Sequence, residues 1–98
     1  MPGVGKSRSY RDLDVWNRSI ALVKDLYEAT SRFPRAENLG LVQQIRRAAV
    51  SIPSNIAEGQ FRNSTKDFKQ FLSIALGSAA ELETQLIITN QVNYLSIP

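Results

Sequence analysis

A chain of 98 residues with 43% hydrophobic content is enough for one domain with a modest core, and without cysteine or histidine it excludes disulfides and thiol chemistry. Carboxylates alone then remain among the usual metal-binding side chains, and no cofactor is expected. The net charge of +3 comes from Lys6, Arg8 and Arg11, which precede the first acid, so it permits a polyanionic partner without demanding one. No unbroken apolar run approaches the roughly 20 residues that span a bilayer, and no signal-peptide core opens the chain. The expected setting is cytoplasmic, with no membrane partner.

Residues 1–10 are Gly-, Ser- and Lys/Arg-rich and read as a disordered basic tail, with residues 11–98 as a single helical domain. The first helix is predicted to begin near Asp12 to Asp14, where acids suit its positive end. Its apolar positions, Val15, Trp16, Ile20, Leu22, Val23, Leu26, Tyr27 and Phe33, cover about half of a helical wheel, wide enough for two neighbours. Phe33-Pro34 is the predicted stop, because a residue before proline leaves helical geometry.

A short connection, Pro34 to Asn38, leads into a second helix that is predicted to run to Glu58, with Gly59 as its C-terminal stop. Within it, Ile45, Ala48, Ala49, Ile52 and Ile56 keep a helical period through Pro53. A proline inside a helix removes one hydrogen bond and clashes with the preceding turn, so a kink is expected there. Arg47, Ser51, Ser54 and Glu58, flanked by Asn55, form a polar ridge along another side. That ridge is open to three readings: a binding surface, a solvated face, or polar groups serving carbonyls freed by the proline.

Gln60 to Asn63 turn the chain, and Ser64 or Thr65 caps the third helix with Asp67 in its first turn. Phe68, Leu72, Ala75, Ala79, Leu82 and Leu86 are spaced four, three, four, three and four, the seam of an antiparallel bundle. Gly77, Ser78, Ala79 and Ala80 would admit a close neighbouring backbone. Ile74, Ile88 and Leu95 fall away from the seam and fit either a subunit contact or scattered surface apolars. The fold class is all-α, an antiparallel up-down bundle of three long helices.

Several ordered blocks carry a resemblance: Tyr10-Arg11-Asp12-Leu13-Asp14-Val15-Trp16, Phe33-Pro34 with Gly40-Leu41, Gln44 to Gly59, and Ala75-Leu76-Gly77-Ser78 with Glu81 to Leu86. Over Tyr10 to Leu95 the chain resembles the small bacterial bundle family of the 23S rRNA-intervening sequence protein. Arg46, Arg47, Pro53, Ser54, Asn55, Glu58 and Gly59 match its strongest block. The resemblance implies four helices, the fourth after Tyr94-Leu95, whereas the sequence here stops at Pro98. A bundle lacking that helix exposes a groove lined by the seams of helices one and three, and such a groove favours self-association. The resemblance also implies a ring-shaped homopentamer. A similar protein is the accessory protein of diversity-generating retroelements, which works beside a reverse transcriptase on RNA.

Catalytic motifs are weak. Gly3-Val4-Gly5-Lys6-Ser7 imitates part of a P-loop but lacks the upstream glycine and the preceding strand. Glu83 shares a side with Leu76, Ala79 and Ile87, so partial burial against Arg46 or Arg47 is expected, as a structural ion pair ahead of an acid–base or metal site. Metal-binding carboxylate bundles add a Glu-x-x-His motif, which this chain lacks. Arg62, Lys66 and Lys69, with Arg18 and Lys24, are the candidates for phosphate contact with RNA or an RNA–protein complex; solvated surface charge is the plainer alternative. No aromatic interleaves them as a base-stacking platform requires. The expected function is a non-enzymatic, self-assembling bundle that binds RNA through a basic surface. The alternative is a structural or protein-interaction module without a nucleic-acid role.

Overall fold

A computed structural model describes residues 9–94. Three helices follow one another, α1 (Asp14–Thr30), α2 (Leu41–Phe61) and α3 (Thr65–Gln91), with single 3-10 turns at Tyr10–Asp12 and Arg35–Glu37. No strand occurs among the described residues. Short connections force an up-down-up path, and α2 is the central helix, packing against both α1 and α3. The all-α class and the antiparallel arrangement are as expected. Of the expected tail, residues 1–8 lie outside the described residues. Ser9 and Tyr10 belong to the described part: Ser9 Oγ accepts from the Arg11 N–H, and the Tyr10 ring lies 5.1 Å from Trp16.

The start of α1 has no side-chain cap, but Asp14 sits in its first turn and Asn17 Nδ2 donates to the carbonyls of Arg11 and Leu13. The helix ends earlier than Phe33-Pro34 suggests. Thr30 and Ser31 hydroxyls bond back to the carbonyls of Leu26 and Glu28, and the chain then turns to bury Phe33. Only Leu26 and Phe33 of the eight apolar positions are buried; Val15, Ile20, Leu22 and Tyr27 are exposed. The broad apolar arc is therefore wider than the contact it makes.

The expectation for Gly59 is corrected. α2 continues past it to Phe61, and Gly59 is buried in the helix interior. A Cβ there would stand 2.8 Å from Phe71 Cβ and 3.2 Å from Phe68 Cδ1. Close approach of α3, and not helix termination, makes glycine necessary. Gly77 is the reverse case: it is exposed, and a Cβ there would meet nothing within 4 Å. The turn into α3 uses Asn63 at φ 61°, and the Asp67 N–H donates to Ser64 Oγ at 3.0 Å. Ser64 is thus the cap, as the S-x-x-D pattern suggests.

The core forms where the three seams meet: Leu26 and Phe33, then Val42, Ile45, Ala48 and Ala49 of α2, and Leu82 of α3. Ile45 and Ala49 have no exposed surface. Ala75 and Leu82 of the expected α3 seam are buried, with Phe68, Leu72, Ala79 and Leu86 half-buried beside them. Ile74 and Ile88 are exposed, and Leu95 lies outside the described residues.

Candidate functional site

Antiparallel packing puts the start of α1, the end of α2 and the start of α3 at one end of the bundle. Tyr10, Trp16 and Ile20 line a hollow there with Pro53, Ser54 and Ala57. Arg18, Arg62, Lys66 and Lys69 therefore share that end, whereas Lys24 lies further along α1. Two of these five cations are each paired with an acid four residues earlier. Arg18 Nε pairs with Asp14 Oδ2 at 2.8 Å, and Arg62 pairs with Glu58 Oε2 at 2.9 Å while its guanidinium lies 5.1 Å from the Phe71 ring centre. Lys24, Lys66 and Lys69 are exposed and enter no ion pair among the described residues. With Asp12, Asp14, Glu58 and Asp67 nearby, this end is mixed in sign. Exposed pairs of this kind are worth about 0–1 kcal/mol, so a phosphate can displace them.

The polar block of α2 separates into different jobs. Ser51 faces α3, where its hydroxyl shares a 2.7 Å hydrogen bond with Ser78. Asn55 Nδ2 donates to both the carbonyl and the hydroxyl of Ser51, locking that contact. Ser54 is exposed, its hydroxyl bonded to the Val50 carbonyl, and Glu58 holds Arg62. Pro53 is buried and the helix runs through it. The four ridge residues thus form no single ligand-facing row.

Arg46 and Glu83 do not meet. Arg46 turns towards α1, donating from Nε to Thr30 Oγ1 at 2.9 Å and from Nη2 to the Tyr27 carbonyl at 3.1 Å, with the Tyr27 ring 4.3 Å below it. Arg47 is exposed and makes no ion pair with Glu83. Glu83 itself is exposed, so the expected buried ion pair is absent. The reason is geometric: among the described residues, no helix covers the side of α3 on which Glu83 sits.

That uncovered side is an apolar trough of about 660 Å³ lined by Leu22, Ile52, Leu76, Leu82, Leu86 and Ile87, with Ala79, Ala80 and Glu83. It lies where the resemblance to a four-helix family implies a groove, between the seams of helices one and three. Leu76 and Ile87 are 71% and 54% exposed, so the outer wall of the trough is solvated apolar surface. By length and composition α3 is also apolar enough to cross a membrane. One such helix does not place a chain in a membrane, because bundle core helices pass the same test.

Two contacts escape the sequence reading. Tyr94 OH donates to Glu37 Oε2 at 3.1 Å and its ring lies 5.7 Å from Phe33, tying the end of α3 to the α1–α2 connection. The Arg46–Thr30 bond fixes α1 to α2. Neither pairing leaves a local pattern. Among the described residues, no three of His, Cys, Asp or Glu gather in one place.

The family model described as 23S rRNA-intervening sequence protein matches residues 11–97. The chain belongs to that family. No curated protein matches it. Within this member of the 23S rRNA-intervening sequence protein family the block divides: Arg46 bonds to α1, Pro53 and Gly59 are buried and half-buried Asn55 holds Ser51, whereas Arg47, Ser54 and Glu58 are exposed.

Proposed function

We propose that the chain is a non-enzymatic assembly module whose apolar trough is filled by a helix from another molecule. The single observation behind this reading is the trough: a concavity with an almost wholly apolar lining that the three described helices do not close. Leaving it open costs roughly 25 cal/mol for each Å² of apolar surface that a partner would cover. Self-association is the simplest way to cover it. Size-exclusion chromatography with light scattering tests this: an assembled species well above 11.0 kDa supports it, and a monomer at all concentrations refutes it.

A second reading, RNA binding, draws on the family's description and on the exposed Lys24, Lys66 and Lys69. Phosphate contact predicts affinity that falls steeply with salt, with a slope of about −0.7 per contacted phosphate on single strands. Replacing Lys66, Lys69 and Arg62 with alanine should flatten that slope. Absence of RNA affinity at low salt would leave assembly as the whole function.

A further inference from the structure

Away from the trough, a recess of about 360 Å³ opens around Arg46 and Arg47, with Tyr27 of α1, Gln43 of α2 and Asn38 of the connection between them in its wall. Gln43 precedes the two arginines by three and four positions, so these side chains are neighbours on the surface of α2. Arg46 is already aimed: Thr30 Oγ1 and the Tyr27 carbonyl hold its Nε and Nη2, and the Tyr27 ring lies 4.3 Å below the guanidinium. Those bonds leave Nη1 with both of its N–H groups unpartnered among the described residues. Arg47, Gln43 and Asn38 form no side-chain hydrogen bond or ion pair among the described residues, and all three are exposed. No carboxylate of the described residues lines the recess. Glu37, the acid beside Asn38, is turned instead to the Tyr94 hydroxyl and the Leu41 N–H. On α1, exposed Lys24 and Glu28 stand on either side of Tyr27 in sequence and offset one another in charge.

We infer that this recess binds a phosphomonoester, with the phosphate oxygens on the two guanidiniums and the side-chain amides of Gln43 and Asn38. Two adjacent cations with no acid between them repel, and an anion seated there relieves both. A phosphomonoester carries a charge of about −2 at neutral pH and three strong acceptor oxygens, which matches two guanidiniums and two amides. A carboxylate or a backbone phosphodiester carries a single charge and would leave one cation unbalanced. Arg46 loses little freedom on binding, because its fork is fixed beforehand by α1. The recess is larger than a phosphate group, and Val42, Val50 and the Tyr27 ring give the rest of its wall an apolar surface for the organic group that bears the phosphate. A free small phosphomonoester and the phosphorylated end of an RNA present the same chemistry to this site. The site needs neither assembly through the trough nor the lysines at the start of α3.

Titration of the isotope-labelled intact chain with phenyl phosphate, followed by NMR, tests the site. Saturable shifts should appear at the Arg46 Nε–H and at the side-chain amides of Asn38 and Gln43, and benzoate should need a far higher concentration to produce them. Arg47→Gln should weaken binding by about tenfold or more, and Arg47→Lys by less. Arg47 is exposed and unbonded, so both variants should melt as the parent does. Lys66→Ala, at the start of α3, should leave the titration unchanged. Competition then separates the two sources of phosphate. Displacement of phenyl phosphate by an RNA with a terminal phosphate, and not by a mononucleotide, supports the site and assigns it to an RNA end; the reverse supports it and assigns it to a free phosphomonoester. An RNA without a terminal phosphate that displaces the probe equally well overturns the preference for a monoester. No saturable shift with millimolar phenyl phosphate, shifts confined to the start of α3, or equal binding of benzoate overturns the proposal.

Discussion

Thr30 Oγ1 is the joint between α1 and α2: it donates to the Leu26 carbonyl at 2.7 Å and accepts from Arg46 Nε at 2.9 Å. Thr30 is buried, so neither bond is readily replaced by water. Arg46 completes the joint through the Tyr27 carbonyl and the face of the Tyr27 ring. One hydroxyl thus satisfies a helix carbonyl and orients the guanidinium that fastens the next helix.

Thr30→Val keeps the volume and removes both bonds. It should destabilise the chain by about 1–3 kcal/mol, because Arg46 Nε is left without its acceptor. Thr30→Ser should lose much less. Urea unfolding followed by circular dichroism distinguishes them, and equal stability of the valine variant and the parent would argue against the joint.

The two helical glycines should respond in opposite directions to alanine. Gly59→Ala forces a methyl to within 2.8 Å of Phe71 Cβ and should cost about 1–3 kcal/mol through overpacking. Gly77→Ala meets open space and should stabilise by up to about 1 kcal/mol through helix propensity. Thermal melts of both variants check the contrast; stabilisation by Gly59→Ala would show that α2 and α3 do not approach so closely.

Tyr94 makes stability depend on pH at the alkaline end. Its hydrogen bond to the Glu37 carboxylate, and that carboxylate's charge, raise its pKa above the ordinary 10.0. The folded state therefore holds this proton more tightly than the unfolded chain does. The contribution is complete below pH 10.0 and is lost as pH rises through the raised value. Tyr94→Phe should remove this component of the alkaline fall in melting temperature. An identical fall in parent and variant would remove Tyr94 as its source.

The seams are readable because helical spacing records burial directly. Phe68 through Leu86 on α3, and Ile45 through Ile56 on α2, repeat at intervals that leave one face apolar, and Ser64 precedes Asp67 at capping distance. The groove expected between helices one and three comes from the resemblance to a four-helix family, and spacing alone does not announce it. Gly59 misleads because a glycine near the end of a periodic run looks like a stop; Phe68 and Phe71, which demand the missing side chain, lie across a turn. Glu83 has no buried partner, contrary to its spacing, because spacing reports which face a residue occupies but not whether another helix covers that face. Arg18 and Arg62 stand in the sequence as lone cations, and the structure adds exposed pairs with Asp14 and Glu58, each four residues earlier, that a phosphate can displace. Tyr94–Glu37 and Arg46–Thr30 join distant positions, and nothing in local pattern announces such pairs.

Sedimentation of the intact chain beside a Leu76→Lys, Ile87→Lys variant tests the central claim most directly. Both side chains are solvent-exposed on the trough wall, so the variant should fold as the parent does. The parent should sediment as an assembled species that dissociates on dilution, and the variant as a monomer of about 11 kDa. A parent that sediments as a monomer, or a variant that assembles as well as the parent, would contradict an assembly built on the trough.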